Sequence, residues 1–232
     1  MWWVLPVIIV SVVVFSVIIV LAIVFISSYA EDKTKKNNNY IPLSVRSSDF
    51  AGEWGETLAN FHLRPLIRSD EYLLNNLLIP LSNGHNTEID CVMITRRGLF
   101  CIETKRWSGH IEGADNDEDW IQKYDDKRRA NKLHKNPVKQ NENHCDILAR
   151  FLDYKYNVDN IVLFINLEDG SGINSEYVFT PRQFKHYYNE LDDELNINDI
   201  EAIRNRLVGC IAGKEQLEEH KRDIQRRYGE YN

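Results

Sequence analysis

EIDCVMITRRGLFCIETK, residues 88–105, is the stretch whose reading decides the fold. Two runs rich in β-branched and apolar residues flank Arg96-Arg97-Gly98, which is the pattern of a β-hairpin. Both faces of each run are mostly apolar, so the sheet holding them is expected to be covered on both sides. If Thr95 and Gly98 bracket the turn, Asp90 falls opposite Glu103 on one face. Directly opposed residues have Cβ atoms about 4.5–5.5 Å apart, and like charges so placed repel. A cation between two carboxylates relieves that repulsion. Lys105, two residues beyond Glu103, projects from the same face because side chains alternate along a strand.

Outward from the hairpin, the chain alternates strand and helix signals. Residues 49–63 read as a helix capped by Ser48 or Asp49, with Trp54, Leu58 and Phe61 on one stripe and Arg64-Pro65 ending it. Tyr72 to Ile79 reads as a strand stopped by Pro80, and residues 82–87 as a turn. Trp107 to Gly113 continues as a further strand, and the charged residues 114–135 read as irregular or partly helical. Asn136-Pro137 starts a helix to about Tyr154, with Asn as cap and Pro at the first helical position. A buried strand covers 160–166 and a short one 177–179. Thr180-Pro181-Arg182-Gln183 opens a helix through a capping box, and two more follow near 199–211 and 214–228. The order describes a mixed α/β domain.

Residues 2–26 carry no charged side chain. As a helix they would be roughly 37 Å long, against the roughly 30 Å of a bilayer core. The expectation is a transmembrane anchor over residues 1–30 embedded in a lipid bilayer, then a polar linker over 31–47. Ser28-Tyr29-Ala30 also fits a signal-peptide cleavage site, but no basic residue precedes the apolar run and the run is long for that role. Lys33, Lys35, Lys36 and Arg46 follow the span, which places the remaining chain on the cytoplasmic side of a cell membrane. The four cysteines, Cys91, Cys101, Cys145 and Cys210, form no CxxC pair and read as reduced thiols, consistent with that side.

A net charge of −7 argues against general polyanion binding, so contact with nucleic acid would need a local patch. Lys123, Lys127, Arg128, Arg129, Lys132, Lys135 and Lys139 supply one, opposed in sequence by Asp125 and Asp126. It reads equally as a phosphate grip or as a solvated face. The histidines have no paired metal spacing. His144, one turn beyond Gln140, reads as a surface or structural residue, and Trp107 and Trp120 as packing rather than base-stacking residues. His220, Lys221, Arg222, Arg226 and Arg227 read as a solvated helix face.

Two carboxylates and an ammonium at a strand end suit phosphodiester hydrolysis. A divalent ion on Asp90 and Glu103 would polarise the phosphoryl group, and Lys105 would orient water or stabilise developing charge. An ordinary rim of solvated charges would show the same tripeptide. Over residues 52 to about 152 the chain resembles the nuclease-related domain (NERD) family of the PD-(D/E)xK nuclease superfamily. The resemblance rests on Gly52-Glu53-Trp54-Gly55-Glu56, Glu88-Ile89-Asp90, Gly98 to Lys105, Trp107-Ser108-Gly109-His110-Ile111 and Asn136-Pro137-Val138-Lys139-Gln140, in that order. Ile89 stands where the superfamily's naming proline would be.

The resemblance implies a PD-(D/E)xK-like central mixed sheet flanked by helices, here behind a transmembrane helix. The core would cover 48–165, with 166–232 completing or extending it. It implies Asp90, Glu103 and Glu56 as ligands of Mg²⁺ or Mn²⁺, Lys105 as the catalytic lysine, and Gln140 reaching the site from its helix. The activity implied is a membrane-anchored, metal-dependent nuclease acting on DNA, with RNA also open. The alternatives are a non-catalytic nucleic-acid-binding module gripping through residues 123–139, and a scaffold assembling partners through its C-terminal helices.

Overall fold

The structure is a computed structural model, and it describes residues 59–126 and 128–228. A helical segment at 59–63 leads through a 3-10 turn, Arg64–Leu66, into nine strands and four helices. The strands are β1 (Tyr72–Pro80), β2 (Asn86–Thr95), β3 (Gly98–Lys105), β4 (His110–Ala114), β5 (Asp119–Lys123), β6 (Lys132–Lys135), β7 (Asp159–Phe164), β8 (Asp169–Asn174) and β9 (Val178–Phe179). The helices are α1 (Pro137–Phe151), α2 (Pro181–Glu190), α3 (Ile197–Leu207) and α4 (Lys214–Tyr228).

The strands form two sheets. The first has the order β1-β2-β3-β7-β9, with β1, β2 and β3 antiparallel and β7 and β9 added in parallel. The second has the order β6-β5-β4-β8. The hairpin register is the expected one, with Thr95 opposite Gly98 and Cys91 opposite Ile102. The first sheet is covered on both faces. Val92, Ile94, Leu99 and Cys101 pack under Leu148 of α1 and Ile200 and Ile203 of α3. Cys91, Met93, Phe100 and Ile102 pack against Ala59, Leu63 and Phe184 and Tyr188 of α2. That two-sided burial is why both hairpin runs lack a polar face.

Two expectations are corrected. The single central mixed sheet is two sheets flanked by helices, because residues 114–135, expected to be irregular or helical, supply β5 and β6. Trp120 and Gln122 are buried from β5, while β6 is almost wholly exposed and carries little apolar signal. The other correction concerns the transmembrane helix. Among the described residues no helix is long and apolar enough to cross a membrane. Residues 2–26, on which that expectation stood, lie outside the described residues, as do the linker and Glu56.

β8 also lacked a strand signature, since its sequence is DGSGIN. Its glycines have a packing reason: a Cβ on Gly172 would lie 2.8 Å from the Ile111 carbonyl oxygen of the neighbouring β4. The two sheets meet where Ile111 and Trp120 pack against Val138 of α1 and Val162 and Phe164 of β7.

Candidate active site

The last residues of β3 emerge from the core beside the start of α1. Asn136 fixes that start. Its Oδ1 accepts from the backbone N–H groups of Val138 and Lys139 at 2.9 and 3.3 Å, while its Nδ2 donates to the carbonyls of Asp115 and Asp117 at 2.9 and 2.8 Å. One side chain therefore caps the helix and ties it to the β4–β5 turn. Asn141 holds the next turn, donating to the carbonyl oxygens of Cys101 at 2.9 Å and Ile161 at 3.1 Å. With α1 so anchored, Gln140 and His144, four residues apart, face the end of β3.

Glu103, Lys105 and Gln140 come together directly. Lys105 Nζ donates to Glu103 Oε1 at 2.5 Å and to Gln140 Oε1 at 3.1 Å. The other Glu103 oxygen lies 3.6 Å from His144 Nδ1, beyond hydrogen-bond reach, and that Nδ1 has no hydrogen-bond partner among the described residues. Glu103 is 4% exposed. Burial works to raise its pKa, but His144 and Lys105 together outweigh burial and hold it below the ordinary carboxylate value.

Asp90 departs from the expected ladder. The β2–β3 pairing ends at Cys91–Ile102, one step short of an Asp90–Glu103 pair. Asp90 Oδ2 instead accepts from the Thr104 backbone N–H at 3.0 Å. The β1–β2 ladder also skips this step, passing from Asn75–Cys91 to Leu77–Ile89, and Asn76 takes a left-handed φ of 55°. The sheet is thus distorted on both sides of Asp90. A carboxylate bound to a backbone N–H in the next strand avoids facing Glu103 squarely, which removes part of the like-charge penalty.

Asp90 and Glu103 are hard oxygen donors of the kind Mg²⁺ takes, and Mg²⁺ commonly uses one or two carboxylates with water and phosphate completing its shell. Among the described residues no group of three or more His, Cys, Asp or Glu side chains is arranged to hold a metal ion. The implied third ligand, Glu56, lies outside those residues. His144, read from sequence as surface or structural, is 8% exposed and adjoins Glu103. Its signal was the four-residue spacing from Gln140, which puts both on one helix face.

The basic cluster is dispersed and largely paired. Arg128 grips Asp126 at 3.0 and 3.1 Å, Lys135 meets Asp119 at 3.0 Å, and Lys139 meets Glu118 at 2.6 Å. Lys123 meets Glu112 at 2.5 Å, and Arg129 lies 3.6 Å from the centre of the Tyr124 ring. Lys132 is exposed and makes no ion pair among the described residues; Lys127 lies outside them. The acid partners Glu112 and Asp119 come from the second sheet, which the sequence did not foretell, and Glu118 from its β4–β5 turn.

Residues 51–165 match the family model of the nuclease-related domain, NERD. A curated relative, an uncharacterized protein of Bacillus anthracis, is 29% identical over 102 residues, which is 44% of this chain and 47% of that protein. The match therefore spans about half the length of each. No solved structure matches this chain.

Proposed function

We propose that the chain, whose nuclease-related domain holds Asp90, Glu103, Lys105 and Gln140, is a divalent-metal-dependent phosphodiester hydrolase acting on DNA. The observation that carries this reading is the convergence of Lys105 with Glu103 and Gln140 at the end of β3. Asp90 and Glu103, with Glu56, would hold Mg²⁺ or Mn²⁺. The ion would polarise the phosphoryl group and acidify a bound water.

The chain's own groups do the rest. Lys105 holds the attacking water or the developing phosphorane charge, exchanging its bond to Glu103 for one to oxygen of the substrate. Gln140 keeps the ammonium over the site while that exchange occurs. Glu103, whose pKa His144 and Lys105 hold below the ordinary carboxylate value against burial, is ionised at neutral pH. Lys132 and the neighbouring cations Lys127, Arg128, Arg129, Lys135 and Lys139 would contact the phosphate backbone. The thiols of Cys91, Cys101, Cys145 and Cys210, none in a disulfide and three of them buried, support work in a reducing compartment such as the cytoplasm.

A second reading is a non-catalytic nucleic-acid-binding module, favoured by the Lys105 ammonium that already occupies one Glu103 oxygen. The discriminating experiment incubates the full chain with supercoiled plasmid, linear DNA or RNA, in Mg²⁺, Mn²⁺ or EDTA. Glu103→Gln and Lys105→Ala are run in parallel. Metal-dependent cleavage of DNA that both variants lose is the expected result. Folded wild-type protein that binds DNA without cutting it under any metal overturns the hydrolase in favour of the binding module. Cleavage that survives in both variants places the chemistry elsewhere.

A further inference from the structure

Lys105 is the last residue of β3, so its ammonium has no following strand residue to brace it. Besides Glu103 and Gln140, a further brace reaches it from the β3–β4 loop, backed by the other sheet. Lys105 Nζ sits over the Trp107 ring, 5.8 Å from its centre. Trp107 stacks on His134 of β6, with centroids 4.1 Å apart and planes 20° from parallel. The edge of Trp107 is closed by Phe164 at 5.4 Å. His134 Nε2 bonds Gln122 Oε1 of β5 at 2.8 Å, and Gln122 Nε2 donates to the Ser108 carbonyl oxygen at 2.6 Å.

The amide orientation fixes the histidine tautomer. Gln122 spends an N–H on Ser108, so its oxygen faces the ring and His134 Nε2 must carry the proton. The loop from β3 to β4 is thus clamped at Ser108, and the ring of Trp107 is fixed against one side of His134. Cation–π attraction then favours one position for the ammonium. Gln122 is 5% exposed, as expected for a structural clamp rather than a surface amide.

We propose that Gln122, His134 and Trp107 form a positioning chain through which the second sheet sets the place of the Lys105 ammonium. For its effect on turnover this rests on the hydrolase reading above; for its effect on Lys105 it does not. The three residues touch no reacting atom. They act by narrowing where Lys105 can be when the phosphate arrives, and a displacement of about 1 Å at such a group costs up to about 100-fold in rate.

The test reads Lys105 itself. In full-length protein with ¹³C-methylated lysines, the Lys105 signal, assigned through Lys105→Arg, is expected upfield of the surface lysines because it lies over an indole ring. Trp107→Leu removes that displacement, His134→Ala reduces it, and Trp107→Phe keeps part of it. With DNA and Mg²⁺, kcat falls about tenfold or more in Trp107→Leu and His134→Ala while KM changes little, and Trp107→Phe recovers most of the loss. A Lys105 signal that coincides with surface lysines in the wild type overturns the proposal, as does one unmoved in folded His134→Ala. If the signal responds but no variant or wild type cleaves DNA, the positioning chain stands and the hydrolase reading falls. If wild type cleaves and both kcat and signal ignore the substitutions, the reverse holds.

Discussion

Asn141→Ala tests whether the site depends on how α1 is seated. Asn141 is fully buried, and its amide bonds the carbonyl oxygens of Cys101 and Ile161 and Asn160 Oδ1 at 2.7 Å, while Cys101 Sγ donates to its oxygen at 3.3 Å. It therefore joins α1 to β3 and β7 at once. Truncation removes the two amide N–H donors that these three acceptors share and a weaker thiol contact, at about 1 kcal/mol net for each N–H, and opens a small cavity. The expected loss is about 2–4 kcal/mol, or about 5–15 °C in Tm for a domain of this size. Asn141→Asp keeps the volume but turns a carboxylate toward carbonyl oxygens, and is expected to cost at least as much. Urea denaturation of wild type and both variants at pH 7 reads the difference. A loss under about 1 kcal/mol for Asn141→Ala would show that α1 is held by its apolar face alone. Cleavage should fall further than stability predicts, because Gln140 and His144 ride on the same turns.

Gly113→Ala is expected to destabilise by about 1–3 kcal/mol, since its Cβ would lie 2.3 Å from Cγ of the buried Trp120; thermal unfolding checks it. Asp159→Asn is expected to stabilise the protein near neutral pH. Burial, and then the nearby Glu194, push the Asp159 carboxyl above its ordinary pKa, so the group's stabilising contribution is fully present at pH below the unfolded value and is lost as pH rises through the folded one. The Tm gain of the variant should therefore shrink toward zero as pH drops below about 4, and a gain that persists in acid would contradict the cause given.

The hairpin was legible because its signals agree: β-rich runs, a Gly-containing turn, and apolar residues on both faces. The register followed from the turn alone, and it placed Glu103 and Lys105 on the face that meets α1. The helix starts at Asn136 and Thr180 were legible because capping is local; at Thr180 both halves of the capping box form. The second sheet was not legible. β6 exposes most of its residues and β8 is built around Gly170 and Gly172, so neither carries a hydrophobic period. Its place depends on Trp120 and Ile111 finding Phe164, a contact between distant segments. Asp90 was placed at the correct strand step but not with its partner, because the distortion at Asn76 depends on β1 as well as on the hairpin.

The same dispersal of charge sets how this domain should meet a polyanion. The chain carries a net charge of −7, and Lys123, Arg128, Lys135 and Lys139 each lie against a carboxylate. A phosphate must displace that carboxylate to use such a cation, and exposed pairs of this kind are worth at most about 1 kcal/mol, so displacement is possible but gains little. Lys132 has no such competitor among the described residues. The salt dependence of DNA binding should then be shallow. One or two phosphates neutralised correspond to a slope of about −1 to −2 in log K against log salt, against −5 or steeper for a full basic groove. Lys132→Ala is expected to reduce that slope by about 1, and Lys139→Ala by clearly less. A steep slope unaffected by Lys132→Ala would mean that the ion pairs open on binding and that the whole cluster, not Lys132, holds the backbone.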